Sequence, residues 1–408
     1  MSSDRLVALY CYEFAPEYKV GGRRWRLFAP RLADRGLHIL LRAKAPSQEV
    51  KLDGIRDVSW FKRPRGWLYP WSDVWAWRSI RIWRVQKFLA ESWLRGNTHD
   101  ETIFLQPWIR KQVRHDLKVL GVKTFVVSCP AFHWAHTIAH EIARHNDSKV
   151  RLVIDFRDGW SDNRLLMPEL SEAQRAHEER LERETLRVAD AVVCVAPRDL
   201  EVRKRLAEPH NIAFHTLRNG VVIPEHPKRD HRRDPRSIHL LFAGWIYPPG
   251  QPVLVSFLHE LAKFHPVQLT VAGNWPPELM KQIREEIGVL ELGYLPHESI
   301  EKLLRTHDFA LSFVAPEVNY AINTKILEAA AQRTPLILLS GPGEVTDFVL
   351  DNRLGVVVDP AELERGAREV MNWWENDREA RPWTTFEAHH NLEKLADEMF
   401  AILAGQSS

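Results

Sequence analysis

The chain has 408 residues, of which 45% are hydrophobic and 27% charged, and its formal charge is +2. That length exceeds one ordinary core and suits two domains of about 150–200 residues each. The apolar content excludes a disordered chain, and the near-balanced charge excludes a protein that gains affinity by neutralising nucleic-acid phosphates.

Short apolar runs alternate with amphipathic stretches of helical length, the pattern of parallel sheets covered by helices, so an α/β fold is expected. In the first half strands are predicted near Leu6–Tyr12, His38–Arg42, Thr124–Ser128, Leu152–Asp155 and Ala191–Val195, with helices near Arg23–Arg35, Trp134–Arg144 and Glu172–Val188. In the second half the predicted strands are His239–Ala243, Gln268–Ala272, Phe309–Phe313 and Leu336–Leu339. Its predicted helices are Val253–Phe264, Pro277–Ile287, His297–Arg305 and Ile322–Gln332, followed by a last one near Thr385–Leu403. The proline-broken, charged stretch 224–236 reads as a linker. It divides a Rossmann-like domain over 1–223 from a second over 237–384, with 385–408 able to return to the first. Ligands of such folds sit at the carboxyl edges of the sheets, so a cleft between the domains is expected.

Cys11, Cys129 and Cys194 lack both metal-ligand spacing and disulfide density, which predicts buried free thiols. No Cys/His spacing predicts a metal site. The opening residues lack the basic start and apolar stretch of a signal peptide, and no window approaches about 18 uninterrupted apolar residues. A cytoplasmic chain is expected, with the inner membrane face within reach.

After the first strand, Gly21 and Gly22 lead into a helix that begins at Arg23. Adjacent glycines admit close backbone approach and a helix start favours an anion, so this loop reads either as a phosphate or acceptor loop or as an ordinary strand-to-helix turn. Asp155-Phe-Arg-Asp-Gly-Trp160 places a charged cluster at a strand's carboxyl end, where Asp158 or Asp155 can take a proton from a hydroxyl. The plainer alternative is an ion pair with Arg157 and a packed Trp160. Ser128 ends the third predicted strand and His133 follows it; both can contact a sugar or phosphate, while the plainer alternative for His133 is a surface position at a helix start. From Trp60 to Lys87 tryptophan and arginine dominate; Trp67, Trp71, Trp75, Arg78 and Arg81 suit either an anionic membrane interface or packing with cation–π contacts.

Leu32-Ala-Asp-Arg-Gly36, Val127-Ser-Cys-Pro-Ala131, Asp155-Phe-Arg-Asp-Gly-Trp160 and Arg218-Asn-Gly-Val-Val222 are followed by Leu241-Phe-Ala-Gly244, Val271-Ala-Gly273, Leu292-Gly-Tyr-Leu-Pro-His297 and Lys325-Ile-Leu-Glu328. In this order the segments resemble retaining glycosyltransferases of family 4, in a bacterial polysaccharide-type branch. The resemblance implies a GT-B fold and transfer of a sugar from a nucleotide-diphosphate sugar to a saccharide or lipid-linked acceptor. It also implies retention of configuration and no metal cofactor. It places Lys325 on the donor diphosphate and Glu328 on the ribose, with Gly244, Asn323, Thr324 and Arg218 nearby. The spacing of three puts Lys325 and Glu328 on one helical face. The sequence departs from the family where Tyr320 replaces an earlier glutamate, and where Trp-Ile-Tyr-Pro-Pro-Gly-Gln follows Gly244 in place of a basic pair. These departures motivate a rival reading, a degenerate GT-B scaffold that binds glycans; a sugar-nucleotide epimerase shares the architecture and is a further rival.

Overall fold

The computed structural model describes residues 5–14, 22–45, 52–61, 105–129, 132–145, 150–163, 170–210, 212–224, 234–376 and 384–406. The chain divides into two compact units, Met1–Leu217 with Ala396–Ser408, and Arg218–Leu395.

The sheet of the first unit holds β1 (Leu6–Cys11), β2 (His38–Lys44), β3 (Ile55–Phe61), β4 (Thr124–Cys129), β5 (Arg151–Phe156), β6 (Ala191–Cys194) and β7 (Ala213–Thr216). Their order is β3-β2-β1-β4-β5-β6-β7, and every pairing is parallel. Leu9 faces Leu41 on one side and Val126 on the other. Central strands of a sheet covered on both faces read as continuous apolar runs, which is why β1, β4, β5 and β6 were legible. The covering helices are α1 (Arg23–Asp34), α2 (Gln106–Lys118), α3 (Phe132–Arg144), α4 (Glu172–Leu186) and α5 (Pro197–Ala207). A capping box starts α4: Ser171 Oγ accepts from the Gln174 amide while Gln174 Oε1 accepts from Ser171 N.

In the second unit the strands β8 (Ile238–Ala243), β9 (Val267–Ala272), β10 (Gly288–Glu291), β11 (Phe309–Phe313), β12 (Leu336–Leu339) and β13 (Gly355–Val358) form a parallel sheet in the order β10-β9-β8-β11-β12-β13. Around it lie α6 (Gly250–Ala262), α7 (Pro277–Glu286), α8 (His297–Thr306), α9 (Thr324–Ala331), α10 (Glu344–Asp351) and α11 (Leu363–Asn376).

The stretch predicted as one last helix is two, α12 (Thr384–His390) and α13 (Leu392–Ala404). Asn391 separates them: it bridges Val221, and its Oδ1 accepts from Glu393 N at 2.9 Å to begin α13. The end of α13 packs in the first unit, where Asp397 meets Arg35 at 2.7 Å and the Ile402 carbonyl accepts from Arg151. The division between units falls at Leu217, ahead of the charged stretch 224–236, because Val221 N donates to the His390 carbonyl inside the second unit.

Both sheets are doubly wound. Strand order reverses between β1 and β4 in the first unit and between β8 and β11 in the second. Ligands of such folds bind beyond the carboxyl ends of the strands at these switch points.

Candidate functional site

At the second unit's switch point β8 ends on Gly244, whose φ of +98° is a backbone conformation that side chains disfavour. A Cβ there would also stand 2.7 Å from Lys325 Nζ. Gly273 repeats the logic after β9, since its Cβ would fall 2.3 Å from the Gly244 carbonyl oxygen. The two glycine-terminated motifs therefore let neighbouring strand ends and a lysine pack together. Trp275 completes the support by donating its indole N–H to Gly244 O at 2.8 Å and meeting the Phe242 ring edge-on.

Lys325 lies in the first turn of α9. Its ammonium sits 5.4 Å from the centre of the Phe242 ring and 3.5 Å from the Trp245 carbonyl oxygen. Among the described residues no carboxylate pairs with it. Burial alone pulls its pKa down to about 8, so the half-buried ammonium is partly stripped of water and, among the described residues, lacks a carboxylate counter-charge. An anion bound here would supply the missing partner, and the orphan amides at the start of α9 add to its attraction. Glu328, one turn along, is buried, lines the same small cavity as Lys325, and lies 3.8 Å from His297 Nδ1.

The other expected donor contacts, Asn323, Thr324 and Arg218, lie in the same unit. Asn323 caps α9, its Oδ1 accepting from Ile326 N at 3.0 Å, and Thr324 is the first helical residue. Arg218 stands near His390, an imidazole whose pKa is pulled down to about 4 by burial first, with Arg218 adding to the fall. Tyr320, at the departure from the family pattern, is buried.

In the first unit the expected acceptor residues are for the most part built into the fold. Asp155 is fully buried; Trp25 Nε1 donates to it at 2.9 Å and Arg24 Nε reaches both oxygens at 3.2 Å. Arg24 also donates to the Leu217 carbonyl. With its oxygens so engaged, Asp155 ties β5 to α1 and is not placed to accept a proton from a ligand. His133 is likewise internal: its Nε2 lies 3.0 Å from Glu178, whose other oxygen accepts from Trp160 Nε1. Ser128 lies inside β4, which runs on to Cys129, and is buried rather than presented on a loop. Gly22 caps α1, and its lack of a side chain serves the chain's own packing, since a Cβ would strike the Glu13 and Phe14 carbonyl oxygens at 2.3 Å. Arg23 opens that helix half-buried.

Asp158 alone of the three expected catalytic residues is exposed. The protein around it removes enough water to raise its carboxyl pKa, while Arg157 draws it down. Gly21, Trp67, Trp71, Trp75, Arg78 and Arg81 lie outside the described residues.

Two features escaped the sequence reading. Asp199, at the start of α5, is buried, and among the described residues neither of its oxygens has a hydrogen-bond partner; its pKa is pushed up to about 7 by burial, against Arg203. Trp245, Tyr247 and Tyr294 are exposed aromatics on the loops that leave β8 and β10. The first two were visible only as a departure from the family pattern.

Two Rossmann-like units in one chain, each with its switch point at the carboxyl edge of a parallel sheet, define the GT-B class of fold. Solved GT-B proteins agree with it at low identity. Alr3699/HepE of Anabaena, in complex with UDP and glucose, has a TM-score of 0.63 and 14% identity, covering 98% of this chain and 100% of that one. OtsA without ligand gives 0.62 and 10%, with 98% and 99% covered, and a glycosyltransferase from Rickettsia africae gives 0.57 and 12%, with 98% and 99%. No curated protein matches the chain. More narrowly, residues 237–376 match the family described as Glycosyl transferases group 1, so the second unit carries a group 1 glycosyl transferase domain that includes Gly244, Lys325 and Glu328.

Proposed function

We propose that this chain transfers a glycosyl group from a nucleotide-diphosphate sugar to a saccharide or lipid-linked saccharide, with retention of configuration, in the assembly of cell-surface polysaccharide or glycoconjugate. The observation that carries this reading is the desolvated Lys325 ammonium without an acidic partner, at the switch point of a group 1 glycosyl transferase domain. Lys325 and the α9 amides hold the diphosphate, and Glu328 accepts from the ribose hydroxyls. HepE, in complex with UDP and glucose, supports the donor class.

The acceptor is assigned to the first unit, where Asp158 orients a hydroxyl. In a retaining displacement the leaving diphosphate takes the acceptor proton as the new glycosidic bond forms and the sugar–phosphate bond breaks. The protein contributes position and charge, and no metal need bridge the phosphates. A lipid-linked acceptor draws on the tryptophan- and arginine-rich segment after Trp60, a sequence feature suited to the cytoplasmic face of an anionic membrane. Among the described residues no helix is long and apolar enough to cross a membrane.

A thermal-shift screen of UDP, GDP, ADP and dTDP with their common sugars tests the reading. Ligand at a hundredfold its dissociation constant adds about 2.7 kcal/mol, and Lys325→Ala or Glu328→Ala should abolish the shift. No shift from any nucleotide at millimolar concentration would favour the scaffold reading, which the buried Tyr320 and the missing basic pair after Gly244 motivate.

A further inference from the structure

The stretch that replaces the basic pair is built rather than loose. Ile246 is only 1% exposed and belongs to the second unit's core, while Trp245 and Tyr247 on either side are 46% and 54% exposed. Their alternation turns both rings outward around a buried anchor. The loop is tied at each end: Gly244 O accepts from Trp275, Gly250 N donates to Tyr247 O at 2.9 Å, and Gln251 N donates to Pro248 O at 3.2 Å. Pro248 and Pro249 stiffen it further. Single exposed aromatics need no explanation in general; here position is what matters. The Trp245 backbone is 3.5 Å from the ammonium expected to hold a phosphate, and among the described residues no other ring stacks on its indole.

We propose that Trp245 is the stacking surface for the pyranose ring of the donor, so that at this loop an aromatic face replaces charge in positioning the transferred sugar. The inference rests on the donor reading above. A nucleotide-diphosphate sugar has two ends leaving the diphosphate. Glu328, one turn along α9, takes the ribose, which directs the nucleoside along the helix and leaves the sugar to the Trp245 side of the ammonium. A pyranose presents a patch of C–H groups on one face, complementary to an indole face, while its hydroxyls remain free for polar partners. Such a contact acts on the sugar and not on the nucleoside, so it separates two ligands that differ only in that ring.

Isothermal titration of the full chain with UDP, GDP, ADP and dTDP, and with their glucose esters, tests this. Trp245→Ala should leave the unfolding temperature and the free-nucleotide affinity within about twofold, yet weaken the matching sugar nucleotide roughly fivefold to tenfold, with Trp245→Tyr recovering part of the loss. Equal weakening of nucleotide and sugar nucleotide would overturn the proposal, placing the indole on the base or making it a prop for the loop. No weakening of either would overturn it as well, while the donor reading would survive in both cases. Wild-type chain that binds none of the ligands would end both.

Discussion

Replacing Asp155 by alanine separates a structural carboxylate from a proton acceptor. Its side chain is 0% exposed and that of Arg24 3%, so truncation leaves a guanidinium and the Trp25 indole N–H inside the protein without their shared acceptor. Removing one member of a buried ion pair costs roughly 3–5 kcal/mol, because the remaining charge is left inside the protein without its counter-charge. For a unit of this size, about 1 kcal/mol moves the unfolding midpoint by about 2–4 °C. The Asp155→Ala midpoint for the first unit should therefore fall by roughly 6–20 °C in calorimetry. Asp158→Asn, at an exposed position, should stay within about 2 °C while lowering transfer to the acceptor. An Asp155→Ala chain that unfolds within about 2 °C of wild type yet has lost turnover would refute the structural role and restore a catalytic one.

Asp199 makes stability depend on pH in the opposite sense to a surface ion pair. Its folded pKa of about 7 exceeds the ordinary carboxyl value, so the folded state holds a proton more tightly. Stability should be greatest at low pH, decline as pH rises from about 4 to 7, and carry the full penalty above that. Asp199→Asn should thus raise the unfolding temperature at pH 8 and change it little at pH 4; equal shifts at both would contradict this. Lys325, with its pKa pulled down to about 8, should lose its charge earlier than a surface lysine. Nucleotide affinity should weaken above pH 8 in titration calorimetry, while stability without ligand rises from about pH 8 to 10.4 as the unfolded chain alone stays protonated. Gly244→Ala should cost about 1–2 kcal/mol from its left-handed backbone and, by displacing the Lys325 ammonium, weaken nucleotide binding as well. Transfer should persist in excess EDTA, and loss of activity restored by Mg²⁺ would revise the mechanism. Co-sedimentation with anionic vesicles should fall when Trp71, Trp75 and Arg81 are replaced together; unchanged sedimentation would remove the membrane assignment.

Elements buried on both faces declared themselves as apolar runs, and the ones that did not are short or at edges. Strand β3 carries Arg56 and Asp57 exposed, β10 is largely exposed, and β7 and β13 close the opposite edges of the two sheets. The site was legible where chemistry is local: Lys325 and Glu328 share a helical face, and Gly244 ends a strand. It was illegible where partners are remote in sequence. Asp155 follows an apolar run and looks poised at an edge, but Arg24 lies 131 positions away and decides its role. His133 meets Glu178 across 45 positions. Strand β4 runs one residue past its predicted end, so Ser128 is enclosed within the strand instead of standing at its tip.

The path of the chain limits how this protein can be rearranged. Residues 225–233 lie within the second unit's span, and the first unit takes back Ala396–Ser408 after that unit is complete. Fragments cut at 225–233 would not correspond to the two units: the later one carries the helix that supplies Asp397 to Arg35 and a carbonyl to Arg151. Co-expressed halves should therefore find each other and work as a split protein, whereas a tail-less chain ending at Leu395 should leave the first unit weakened with the second intact. By the same token, exchanging donor-binding modules between relatives by joining consecutive gene segments would pair a head with a foreign tail. A productive chimera must keep α13 with the unit that begins the chain.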